Sequence, residues 1–212
     1  MTGLKTVGIV FLLLLSMPAA AQILSWGSDS KTYTEKQKIQ ESITNLDTVT
    51  IKPEQKRTLT VQKETATFNQ SILPYLEHLP VFPENEMEPD AVWENTAQVT
   101  WDLSDFSISV PVTVTVRASY RFIEETTVNS KKCIHIYIEW YPFWIPEVRT
   151  AKKSGIERLS GYSHMDLYWD NTAGFARQFS LMENLQYRFM EGTALLVTKN
   201  TEAEFTEKEI PK

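Results

Sequence analysis

Few side chains in this sequence combine the type and the spacing that chemistry needs. His164-Met165-Asp166 puts an imidazole and a carboxylate two residues apart, hence on one face of a strand, with Asp170 following. A metal ion would need a third and a fourth ligand from distant positions, and no spacing supplies them. The pair therefore reads as a surface histidine beside a turn-capping aspartate. His78 and His135 stand alone. Glu124-Glu125, or Glu139 beside Trp140, could be drawn as glycosidase carboxylates, but such a pair is defined by separation in space and not in sequence. The sequence contains no nucleophile elbow, phosphate-cradling glycine loop, metalloprotease helix or dinucleotide fingerprint. No catalytic residue, metal or cofactor is expected, and the chain reads as a non-enzyme. The single cysteine, Cys133, excludes an internal disulfide and a cysteine-based zinc cluster. Its place in an alternating apolar run predicts a buried, inert thiol.

The most unusual local feature is Trp140-Tyr141-Pro142-Phe143-Trp144. Adjacent aromatics on a strand point to opposite faces, so one core cannot take them all. Either the strand is buried on both faces between packed sheets, or part of it forms an apolar mouth or partner-binding edge. Trp140, Phe143 and Trp144 are the candidate patch for a partner or an apolar ligand. Arg149, Lys152, Lys153 and Arg158 follow as a basic loop, either solvated or in weak contact with anionic lipid head groups.

The elements that must position these groups are strands. Phe106, Ile108, Val110, Val112, Val114 and Val116 share one parity, which Ala118, Tyr120 and Phe122 continue, while Ser, Thr and Arg dominate the other. Pro111 marks an edge or a bend in that long run. Ile134, Ile136, Ile138 and Trp140 repeat the pattern, so Val112–Ile123 and Cys133–Trp140 should form a hairpin across the polar stretch 124–132. Further strands are expected at 49–52, 57–68, 97–102, 156–168, 175–182, 185–190 and 194–205. Tyr33–Leu46 fits a short helix as well as a strand, because Ile39, Ile43 and Leu46 have helical spacing. Residues 73–89 carry four prolines and must be largely extended or irregular, which could set residues 22–78 apart from a main β domain over 79–205. Residues 206–212 read as a disordered tail. The fold class is all-β, an antiparallel sandwich or a curved half-open barrel.

Composition narrows the partners. The chain has 212 residues, 42% hydrophobic, with 27 acidic against 21 basic side chains. That deficit of Lys and Arg argues against nucleic acid. Residues 1–21 read as a secretory signal peptide: Lys5, the apolar run Val7–Leu15, then Ala19-Ala20-Ala21 as a small-residue cleavage site. A 212-residue chain without this 21-residue leader has 191 residues, and loss of Lys5 makes the charge −7 instead of −6. No transmembrane span is expected after cleavage, so the protein should be periplasmic or secreted, or peripheral to the outer membrane. An integral outer-membrane barrel fits Phe106–Val116 alone, since other strands carry charge on both faces.

The order of motifs resembles the β-rich N-terminal region of spirochaetal OmpA-family cell-envelope proteins. The matching elements are Leu79-Pro80-Val81-Phe82-Pro83, Trp93, and Pro111–Glu125 with its Tyr120-Arg121-Phe122. They continue with Cys133–Trp140, Ser160-Gly161-Tyr162-Ser163-His164, and the Asp170–Gly174 turn before Phe175. Pro89-Asp90-Ala91 stands where a glycine-containing turn would precede Trp93. The resemblance covers 79–205 and not the peptidoglycan-binding domain that follows in those proteins. It implies an exported β-module of the cell envelope with a structural or protein-interaction role. The alternative is a periplasmic carrier or binder of a lipid or other apolar ligand.

Overall fold

The computed structural model describes residues 22–24, 31–45, 48–63, 82–101, 103, 107–108 and 112–207. The expected signal peptide and most of the proline-rich stretch lie outside them. Ten strands make one antiparallel sheet: β1 (Lys31–Asn45), β2 (Thr48–Ile51), β3 (Gln55–Lys63), β4 (Val92–Trp101), β5 (Val112–Val128), β6 (Lys131–Trp140), β7 (Phe143–Trp144), β8 (Ile156–Asp170), β9 (Phe175–Phe189) and β10 (Ala194–Glu207). One short helix, α1 (Val148–Ser154), precedes β8. The order is β2-β1-β10-β9-β8-β6-β5-β4, with β3 continuing β2 along β1 and β7 continuing β6 along β8. The first strand thus pairs with the last, while β3 and β4, consecutive in sequence, are left as open edges. The sheet is not closed.

This is all-β, as the alternation predicts, but it is one sheet and not a two-sheet sandwich. The reason is visible in the register. Trp93–Tyr120–Ile138–Met165–Leu181–Thr201–Ile39 form a row crossing the sheet on one face. Side chains from β1, β4 to β6 and β8 to β10 meet in one buried cluster. A single sheet can gather them only by curling around them. Trp140, Trp169, Tyr33, Tyr120, Phe122, Phe175, Phe179 and Phe205 are among its fully buried members.

Several expectations are corrected. Of the segment that fits a short helix as well as a strand, residues 33–45 are strand: Tyr33, Glu35 and Gln37 share a strand parity and are buried, and thirteen residues of β1 are in register with β10. Residues 31–63 are therefore part of the main sheet and not a layer apart from it. Residues 206 and 207, expected in the tail, belong to β10, which runs to Glu207, opposite Tyr33; residues 208–212 lie outside the described residues. The β5–β6 turn is two residues, not nine. Asn129 and Ser130 both take positive φ (49° and 63°), the paired left-handed conformation that suits a tight hairpin, so the flanking polar residues stay in the strands. Phe175–Phe189 forms one strand where two were expected, and Met190 lies in the turn that follows.

Candidate functional site

The aromatic pentad is divided by the pleat. Trp140 ends β6 on the core face, opposite Ala118 and Ser163, and is 1% exposed. Pro142 has no N–H for the ladder, but its carbonyl accepts a hydrogen bond from Gly161 N at 3.0 Å, which carries the chain on into β7. A Cβ on Gly161 would collide with the Asn184 carbonyl, so glycine alone allows this close approach. Trp144 then turns inward opposite Leu159 and packs against the core, while Phe143, opposite Ser160, is 55% exposed. The three residues expected to form one patch therefore do not. Trp140 and Trp144 serve the core, and Phe143 alone faces out.

Phe143 does have company, though not the predicted company. The row Trp144–Leu159–Tyr187–Leu195–Asn45 marks one end of the sheet, where the end of β1, the start of β2, the β9–β10 turn and the 141–155 segment all lie. We call this end the rim. Of the ten large hydrophobic residues exposed among the described residues, eight lie there. Tyr141, Phe143, Ile145 and Val148 come from the 141–155 segment, Val49 and Ile51 from β2, and Met190 and Leu196 flank the β9–β10 turn. The opposite end is covered: Leu24 is buried, Gln22 bridges Met87, Asn171 Nδ2 donates to the Ile23 carbonyl, and Phe82 packs edge-on against Trp169. Val49, Ile51 and Leu196 were missed because β2 and β10 read locally as ordinary half-polar strands. Only the long-range register brings them to the same end of the sheet as Phe143: Phe143, Ser160, Gln186, Leu196, Thr44 and Val49 lie in one row across the strands.

The expected basic loop is largely helical. Arg149, Lys152 and Lys153 project from α1, which buries none of its residues and ends at Gly155 in the left-handed region (φ 76°). Arg158 lies instead on β8.

A second cluster occupies the outer face of β6 and β8. His135 pairs with Asp166 (Nε2 to Oδ1, 2.7 Å) and stacks on Tyr168 with ring centroids 4.7 Å apart. Tyr137 and Tyr162 share a hydroxyl hydrogen bond of 2.8 Å, and both contact the His164 ring. His164 and Asp166 are thus on one face, as their spacing predicts, but Asp166 engages His135. The rings cover one another's faces, which is the geometry of cross-strand stabilisation and leaves little ring surface for a sugar. Burial, then the Tyr162 hydroxyl and the nearby Glu139 and Asp166 charges, hold the Tyr137 phenol well above its ordinary range. Its neutral form is the one the fold favours, so stability conferred by this group is complete below the ordinary tyrosine range, about pH 10, and declines as pH rises beyond it. Burial raises Tyr168 too, and the Glu139 charge raises Tyr141, so ultraviolet titration should show several late-ionising tyrosines, with the latest component lost in Tyr137→Phe.

Cys133 is 2% exposed, and burial, followed by the Asp170 charge, pushes its thiol up. A nucleophilic thiol requires the opposite shift. Asp170 caps its turn by accepting from Ala173 N at 2.9 Å. Its other oxygen accepts from Arg177 Nε and Nη2 at 2.9 and 2.7 Å, and both side chains are buried. A bulge between Tyr168 and Trp169 accommodates Arg177 on the inward side, with its guanidinium 5.7 Å from the Tyr33 ring centroid.

No helix among the described residues is long and apolar enough to cross a membrane. No protein-family model matches the chain, and no curated protein matches it at a significant level.

Proposed function

We propose that this protein is an exported, non-enzymatic module of the cell envelope with a structural or interaction role, and that it works through its rim. The observation that carries this reading is the segregation of exposed apolar side chains to one end of the sheet. Isolated exposed hydrophobics are normal, but eight of ten at one end mark a contact surface. The leader-like residues 1–21 and the resemblance of 79–205 to envelope β-modules support export. The chemically capable side chains support a non-enzymatic role, because His135, Asp166, Tyr137 and Tyr162 are engaged with one another and Cys133 is buried.

The carrier alternative draws less support. Trp140, which would have lined an apolar mouth, is in the core, and the sheet interior is occupied by large aromatic side chains. Binding of a lipid at the rim, on the outside of the molecule, is favoured by a specific observation: α1 sets three cations beside exposed Ile145 and Val148.

Fractionation of the producing cell tests the proposal. The wild-type protein should travel with the envelope, and Phe143→Asp combined with Ile145→Asp should release it. Retention of that variant in the envelope, or recovery of the wild type from the cytoplasm, would refute the reading.

A further inference from the structure

Resting on the reading of the rim as a contact surface, we propose that its occupant is an anionic lipid surface. The argument combines two chemistries. The exposed apolar residues are not gathered along one strand or in one groove. They come from three separate turns or turn-flanking strands of one end, so each can enter a soft interface on its own. A single concave partner pocket would instead favour a contiguous anchor.

Charge supplies the second part. Arg149, Lys152 and Lys153 are exposed, and among the described residues none of them pairs with a carboxylate. Two other cations near this end are paired: Lys52 Nζ lies 2.6 Å from Glu41, and Arg188 Nε lies 3.1 Å from Glu157. Glu147 and Glu191 are the exposed acids left nearby, and Glu191 accepts from Thr193. A protein with an acidic total composition thus keeps a locally cationic helix, and does so beside Phe143, Ile145 and Val148. Apolar tips with adjoining unpaired cations complement an anionic head-group layer over acyl chains. Each cation near such a surface contributes about fivefold to binding, so three should contribute on the order of a hundredfold.

The test is flotation of the exported protein with phosphatidylcholine vesicles and with the same vesicles containing phosphatidylglycerol, at low and high salt. Binding to the anionic vesicles at low salt, and its weakening by salt, is the expected result. Arg149→Gln, Lys152→Gln and Lys153→Gln together should lower it on the order of a hundredfold, the corresponding charge reversal to Glu should lower it further, and Phe143→Ser with Ile145→Ser should abolish it. All five positions are surface positions, and unchanged unfolding midpoints would show that the fold is intact. Equal binding to both vesicle types, or no loss in the charge-reversal variant, overturns the lipid proposal. Should vesicle binding fail while cross-linking from position 143 still captures an envelope protein, the lipid is wrong and the contact surface stands. Failure of both removes the underlying reading as well.

Discussion

Trp140→Ala is expected to lower unfolding free energy by about 3–5 kcal/mol, whereas Phe143→Ala, three residues on, should change it by less than about 0.5 kcal/mol. The difference follows from the pleat and not from residue type. Trp140 is 1% exposed and belongs to the cluster that the curled sheet encloses, so truncation leaves a cavity lined by side chains that cannot collapse fully. Phe143 is 55% exposed, and its removal opens no cavity. Denaturant melts of the two variants, compared with the wild type, give both numbers. Similar losses for both would mean that Phe143 is a core residue, and the rim would then lose its central member.

Breaking the Asp170–Arg177 pair should be comparably severe. Arg177→Ala leaves a carboxylate that is 3% exposed facing the core with only the Ala173 amide to solvate it, and this costs about 3–5 kcal/mol. Asp170→Ala leaves the guanidinium over Tyr33 with Glu207, 3.9 Å away, as its nearest carboxylate. Replacing both members together, Asp170→Leu with Arg177→Met, should recover much of the loss, since the desolvation of both ions is then avoided. Cys133 gives a local readout, because it lies close enough to feel the Asp170 charge. Its thiol should react slowly with an aromatic disulfide in the wild type and quickly in either single variant. Single variants with wild-type midpoints and unreactive thiols would contradict this account of the covered end.

The period-two pattern made β5 and β6 legible because their inward positions are uniformly apolar, Val114 to Phe122 and Ile134 to Trp140. It failed for β1 because Glu35 and Gln37 take buried positions there, and a strand with polar residues on its inner face has no clean alternation. Gln37 Nε2 donates to Glu35 Oε1 at 2.6 Å, which satisfies one oxygen of the buried carboxylate. Arg177 was equally illegible: the bulge beside it turns an arginine inward, and no local rule predicts a bulge. Alternation in the pentad correctly implied that one core could not take all of its aromatics: Trp140 and Trp144 go inside, and Tyr141 and Phe143 stay exposed. Which of them went inside depended on Pro142, whose carbonyl takes the Gly161 amide nineteen residues later, while the lack of a side chain at Gly161 admits the Asn184 backbone from β9. Residues from β2 and β10 reach the same end of the sheet as Phe143 through the pairing of first strand with last, and pairings that distant leave no trace in a local window.

The most direct test of the central claim is site-specific photo-cross-linking in the producing cell, with a benzophenone side chain placed at position 143 and, as a control, at exposed position 88 near the covered end. The account predicts adducts with envelope lipid or protein from position 143 and none from position 88. No adduct from 143, or equal adducts from both positions, would contradict it.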